Sequence, residues 1–102
     1  MGFEYTARPS ARVTATQRIK LLQAVRENAA WSLVAEHQGS VHVAFRTHEY
    51  RPEWPEDFVL ELGDSEIHVL FHSGSAQERR QVLEYLVERL REVGLSCLFE
   101  EE

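Results

Sequence analysis

Several features that define common protein classes are scarce or missing in this sequence. There is one cysteine among 102 residues, so neither an internal disulfide nor a zinc site built on several cysteines can form. No run of apolar residues approaches the roughly 18 needed to span a membrane, and the N-terminus lacks the apolar core of a signal peptide. We therefore expect a cytoplasmic protein with no membrane contact.

Recognised catalytic and ligand-binding motifs are also missing. The sequence contains no HExxH or CxxC metal motif, and no Walker or GxGxxG loop for nucleotide phosphates. Ser73-Gly74-Ser75 resembles a nucleophile elbow only superficially, because the GxSxG pattern is absent and Ser75 is needed as a helix cap. These absences predict a protein that is not an enzyme and that binds neither a metal nor a cofactor.

Positive charge is scarce as well, since 11 basic residues stand against 17 acidic ones for a net charge of −6. Residues 1–51 hold seven basic and four acidic residues, whereas residues 52–102 hold four basic and thirteen acidic ones. Such a surface repels phosphate backbones, which argues against nucleic-acid binding, and it attracts a partner with a basic surface. The alternative is that the negative charge only keeps the protein soluble.

The sequence has the composition and periodicity of one globular domain over residues 1–102, with 43% apolar residues. Two capping boxes, at Thr14 and Ser75, mark helix starts. Asn28 and Gly94 mark the corresponding ends. In the first helix, over residues 14–29, the predicted buried stripe is Ile19, Leu22, Val25 and Ala29, widened by Leu21. Alternating apolar residues predict strands over residues 3–8, 31–36, 41–47, 57–62, 66–72 and 95–99.

The resulting order, β-α-β-β-β-β-α-β, predicts an α/β two-layer sandwich of the α+β type. We expect a mixed, largely antiparallel sheet with both helices packed on one face. The middle four strands are predicted to form an antiparallel meander. The acidic residues 100–102 are expected to fray into solvent after the last strand.

The most unusual segment is residues 47–57, where two prolines prevent regular structure. Aromatic and arginine side chains are the usual anchors of protein interfaces, and acidic side chains on the rim steer a basic partner. The predicted partner-binding residues are Tyr50, Arg51, Glu53, Trp54, Glu56 and Asp57. The alternative is that Trp54 folds back to close one end of the core.

Histidines suggest a second kind of site. His42, His68 and His72 are predicted to line the outer face of the sheet, together with Glu61 and Glu66. Four residues of strand span about 13 Å, so no single metal ion reaches both His68 and His72. Histidines without a ligand role are therefore the favoured interpretation. The alternative is a small-molecule or metal-binding sensor or small enzyme that uses this face, with a second copy of the chain completing a pocket.

The leading hypothesis is a non-catalytic protein-binding module. Its most specific form is a small, acidic, bacterial immunity or antitoxin-type inhibitor that binds and neutralises a basic toxin or effector. A secretion chaperone or another adaptor satisfies the same observations.

Overall fold

Six strands and two helices follow one another in the predicted order, which confirms the α+β sandwich. The computed structural model describes residues 2–49, 52–53 and 55–102. Its elements are β1 (Phe3–Ala7), α1 (Ala15–Glu27), β2 (Trp31–His37), β3 (Ser40–Phe45), β4 (Phe58–Leu62), β5 (Ile67–Phe71), α2 (Ala76–Glu92) and β6 (Phe99–Glu101).

The strands form one sheet in the order β2-β3-β4-β5-β1-β6. The expected meander of β2 to β5 is confirmed. Every strand pairing in the described part of the chain is antiparallel, so the expectation of a mixed sheet is wrong. The reason is that each helix connects strands that run in the same direction but are not neighbours. Three strands separate β1 from β2, and β1 itself separates β5 from β6.

Helix α1 begins and ends where its capping residues predict. The Thr14 hydroxyl accepts a hydrogen bond from the Gln17 N–H at 3.2 Å, and the Gln17 side chain accepts one from the Thr14 N–H at 2.8 Å. Asn28 is the C-cap. The predicted buried stripe is partly wrong, because Ile19 is 63% exposed while Leu21 and Val25 are buried.

Helix α2 has a capping box at Ser75 and Glu78 and a Schellman motif at its other end. The Gly94 N–H donates to the Arg91 carbonyl at 3.0 Å, and the Leu95 N–H donates to the Leu90 carbonyl at 2.9 Å. Gly94 has a φ of +88°, which favours glycine at this position. The buried Leu95 and Leu90 complete the motif with an apolar contact.

The last strand lies further along the chain than predicted. Residues 95–98 are not a strand, whereas β6 covers Phe99–Glu101, and the Glu102 N–H donates to the Glu4 carbonyl at 2.9 Å. The physical reason lies in β1, the strand with which β6 pairs. The ladder with β1 starts at Ala7 opposite Phe99, and Pro9, which has no N–H, interrupts it there; beyond Pro9 the Ser10 N–H donates to the Ser96 carbonyl at 2.9 Å, but residues 95–98 do not form a strand. The predicted fraying of residues 100–102 is therefore wrong.

One face of the sheet and one side of each helix enclose the core. Alternate residues of β3, β4 and β5 are buried, and they pack with the buried residues of both helices in one cluster. The Tyr85 hydroxyl of α2 donates to the Ala24 carbonyl of α1 at 2.9 Å, so the helices lie side by side. Within the described residues, no helix combines the length and the apolar character that a membrane crossing requires.

Candidate functional site

The predicted partner-binding residues lie in a long connection between β3 and β4, which we call the 46–57 loop. The loop leaves the sheet after Phe45 and returns to the same end, where the Asp57 N–H donates to the Val43 carbonyl at 2.8 Å. Three of the six predicted residues, Tyr50, Arg51 and Trp54, lie outside the described residues. The other three are Glu53, Glu56 and Asp57.

Asp57 is the buried anchor of this loop, with a relative exposure of 2%. Its Oδ2 accepts a hydrogen bond from the Phe45 N–H at 2.6 Å, and its Oδ1 accepts one from the Ser73 hydroxyl. The Asp57 carbonyl accepts the His72 N–H at 2.8 Å. Burial alone raises the pKa of Asp57, but the hydrogen bonds from Ser73, Phe45 and His48 outweigh it and leave the pKa below its ordinary value.

His48 connects this anchor to the start of α2. Its Nδ1 lies 2.8 Å from Asp57 Oδ1, and its Nε2 lies 3.0 Å from Glu78 Oε2. A neutral imidazole has a single N–H, so only the protonated ring donates to both ionised carboxylates. Burial lowers the pKa of His48, but the hydrogen bonds and negative charges of Asp57 and Glu78 outweigh it and raise the pKa. His48 therefore bridges the loop and the helix, and both carboxylates favour its protonated form.

A second pair ties the loop to the outer face of the sheet. Glu56 Oε1 lies 2.8 Å from His42 Nδ1, and the two side chains are only 12% and 24% exposed. Burial raises the pKa of Glu56, but its hydrogen bond with His42 and the charges of His42 and His72 lower it below the ordinary value. Contacts on both faces of the sheet therefore hold the loop at the end where β3 finishes and β4 begins.

These contacts correct the predicted roles of two residues. Asp57 and Glu56 were expected to steer a partner from the rim, but internal hydrogen bonds hold their carboxylates at buried or nearly buried positions. Glu53 is exposed as expected, and Glu49, which is not among the six predicted partner-binding residues, is also exposed. The outward acidic groups of the described loop are therefore Glu49 and Glu53.

The anchors Ser73 and Glu78 were also missed as partners of the loop. Glu78 is 30 residues beyond His48 in the chain, and the sequence explained Ser75 and Glu78 fully as a capping box. No local spacing relates them to His48. Only the tertiary fold, which places the start of α2 beside the end of β3, brings them together.

Two hollows flank the loop. One lies on the outer face, has a volume of about 290 Å³, and has the 39% exposed Val34 in its wall. The other lies on the helix side and measures about 430 Å³. The outer hollow is lined by Ser32, Val34, Ala44, Phe45, Arg46, His48, Glu49, Pro55 and Asp57, and the helix-side hollow includes Trp31, Phe45, Tyr85 and Glu78.

The loop anchors do not form a nucleophilic triad. In such a triad the serine and the acid contact opposite nitrogens of the histidine. Here Ser73 and His48 contact the same carboxylate oxygen, Asp57 Oδ1, while His48 Nε2 faces Glu78. Elsewhere in the fold, burial raises the pKa of the half-buried Cys97 thiol, which disfavours the thiolate.

The predicted histidines of the outer face fall in two places, because His42 and His72 both act on Glu56, whereas His68 contacts Thr6. Strand pairing places His68 opposite Glu61 and Thr6 and places His42 opposite Val59, and the His42 ring packs edge-on to His37, with ring centroids 5.5 Å apart. His68 Nδ1 lies 2.9 Å from the Thr6 hydroxyl, which itself donates to Glu102. Among the described residues, no group of three or more His, Cys, Asp or Glu side chains is arranged to hold a metal ion.

Comparison with protein-family models, curated proteins and solved structures finds no match for this chain.

Proposed function

We propose that this protein is a non-catalytic binding module that recognises a basic surface of another protein through the 46–57 loop. The observation that supports this proposal is that some polar side chains of the loop anchor it to the fold while others are exposed. Asp57, His48 and Glu56 are bound internally, while Glu49 and Glu53 point to solvent. In its most specific form, the protein is a cytoplasmic immunity or antitoxin-type inhibitor that neutralises a toxin or effector. A secretion chaperone or adaptor is the other form of the proposal.

The anchored loop suits binding for an energetic reason. A loop fixed at both ends before it meets its partner loses less conformational entropy on docking than a free segment does. Exposed carboxylates on such a loop act mainly on the association rate, because they attract a basic surface over a distance comparable to the Debye length. The adjoining outer hollow, with Val34 in its wall, supplies apolar surface for a partner side chain.

The first experiment identifies the partner by affinity capture from the native lysate, followed by kinetic measurement with the purified pair. We expect the double variant Glu49→Lys and Glu53→Lys to slow association by about tenfold at low ionic strength, and by much less near 0.5 M salt. Dissociation should change little. The control outside the loop is Glu92→Lys, which reverses one exposed glutamate at the far end of α2 where the double variant reverses two.

Two results would count against the proposal. One is a loss of association rate that is the same for Glu92→Lys as for the double variant. The other is strong thermal stabilisation by a metal ion or a small metabolite without any protein partner, which favours the sensor or enzyme alternative.

A further inference from the structure

An apolar groove lies between α2 and β6. β6 is one edge strand of the sheet, and β2 is the other. Leu98 in this groove is 75% exposed, the largest exposed fraction among the large apolar side chains of the described chain. Leu83 and Val87 form the helix side, and Phe99 forms the strand side. We call this feature, of about 410 Å³, the α2–β6 groove.

The groove borders an open edge of the sheet. β6 is the last strand, and its only pairing in the described chain is with β1. The Glu102 N–H donates to the Glu4 carbonyl, which makes this a hydrogen-bonded pair of the antiparallel ladder. Because such pairs alternate, the N–H and C=O groups of Phe99 and Glu101 point away from β1. These are the groups to which an added strand would bond.

The charge around the groove is predominantly negative. Glu84 and Glu88 border the helix side, and the single cation in the lining, Arg91, pairs with Glu88 at 3.1 Å. β6 and the residue after it add three exposed glutamates, residues 100–102. The side chains of Glu100 and Glu102 lie on the outer face of the sheet, whereas Phe99 lies on the helix face with its partner Ala7.

We propose that the α2–β6 groove binds an extended segment of a partner protein in which apolar and basic side chains alternate. The segment adds to β6 as a further antiparallel strand. Its apolar side chains pack on Leu98 and Val87 on the helix face, and its basic side chains meet Glu100 and Glu102 on the outer face. This surface is separate from the 46–57 loop, so the inference does not depend on the function proposed above.

A second copy of this protein fits the groove less well. Antiparallel pairing of two β6 strands brings the glutamates of residues 100–102 of both copies opposite one another. Like charges directly opposite across two strands are destabilising. Charge complementarity therefore favours a basic segment over self-association.

The test uses a capped seven-residue peptide of alternating valine and lysine, added to the isotope-labelled protein. We expect the amide resonances of Phe99 and Glu101 to move in a saturable manner. Leu98→Ser should weaken binding by about tenfold, as expected when a leucine side chain is lost from the contact. The matched control is Ile19→Ser, since Ile19 is 63% exposed on α1, and its affinity for the peptide should be unchanged.

Two further peptides distinguish strand addition from non-specific attraction between the peptide and the protein. The same peptide with N-methylated valine residues lacks the donors that a strand needs and should not bind. Glutamate in place of lysine should also abolish binding. The proposal is overturned if either peptide binds as well as the first, if Ile19→Ser weakens binding as much as Leu98→Ser, or if no resonance moves. Sedimentation as a dimer that Leu98→Ser dissociates would show that a second copy occupies the groove instead.

Discussion

Asp57 illustrates how one short acidic side chain can organise a long loop. Its carboxylate is buried and accepts the Phe45 N–H, the Ser73 hydroxyl and the His48 ring N–H. A buried carboxylate is tolerated only when hydrogen bonds and an opposite charge replace its hydration. His48 supplies that charge and is itself held by Glu78. The stability of the loop is therefore linked to the protonation of a single imidazole.

This linkage predicts how stability depends on pH. Because folding raises the pKa of His48, its contribution is fully present below the unfolded value of about 6.5 and is lost as the pH rises through the folded value. The pKa values of Asp57 and Glu78 are lowered, so their contribution is lost as the pH falls below about 4. The network should therefore stabilise the fold most near pH 5–6.

The measurement is urea unfolding of the wild type and of His48→Gln at pH 5.5, 7 and 8.5. The difference in the free energy of unfolding between the two proteins should shrink as the pH rises. The exposed His37, changed to Gln, is the matched control. Parallel pH curves for the wild type and His48→Gln would show that His48 does not carry this linkage.

A second prediction at this scale concerns Trp54. If Trp54 anchors the partner, Trp54→Ala should weaken binding by on the order of 2 kcal/mol while the melting temperature stays the same. Trp31, a 5% exposed core residue, provides the comparison, because Trp31→Phe should lower the melting temperature without changing the affinity of the folded protein. A destabilised Trp54→Ala protein that binds its partner at full strength would remove Trp54 from the site.

At the scale of elements, the start of α2 is coupled to the end of β3 through a glycine. Gly74 has a φ of +107°, and a Cβ built there would lie 3.2 Å from Cε2 of Phe45. The Phe45 ring in turn packs against His48, with ring centroids 5.0 Å apart. Gly94 also has a positive φ, but a Cβ there meets no atom of the described residues within 4 Å.

Comparing substitutions at these two glycines distinguishes the energetic cost of backbone strain from that of steric contact. Gly94→Ala should cost about 1 kcal/mol of unfolding free energy, because alanine disfavours a positive φ. Gly74→Ala should cost at least about 1 kcal/mol more, because the Phe45 ring must also move. Urea unfolding gives both values, and Phe45→Leu should recover part of the difference in the Gly74→Ala background. Equal costs for the two variants would show that the contact with Phe45 is unimportant.

The same elements show what the sequence could predict and what it could not. Both capping boxes and the alternation in β3, β4 and β5 are local patterns, and the structure confirms them. The position of β6 was wrong because a strand is defined by its partner, and the stop at Pro9 limits what β1 can pair with. Of the predicted site residues, Glu53 is exposed, whereas Asp57 is buried and bound by Ser73, which is distant in the chain, so no local pattern could indicate its burial.

At the scale of the whole molecule, one hydrophobic cluster joins the sheet to both helices. It includes Leu21 and Val25 of α1, Leu86 of α2 and buried residues of the central strands. A continuous cluster of this kind among the described residues predicts one cooperative unfolding unit.

Cooperativity is testable with two probes of unfolding. Far-ultraviolet circular dichroism and the fluorescence of Trp31, measured in a Trp54→Phe background, should give coincident urea transitions. Leu86→Ala should shift both transitions together by about 3 kcal/mol, because Leu86 is 0% exposed. The exposed Leu98, changed to Ala, should shift them by less than about 0.5 kcal/mol. Transitions that separate would show that the helices and the sheet unfold as distinct units.

The place of β1 in the sheet has a consequence for the order of folding. β1 lies between β5 and β6, and Phe3 pairs with Phe71. During synthesis the ribosome therefore releases this strand long before either of its neighbours exists, whereas β2 to β5 form sequential hairpins as they emerge. The sheet must then close around its earliest strand, which is a slow, long-range step. Until that step, the edge of β5 stays open, and chaperones would have their main opportunity to bind the nascent chain there.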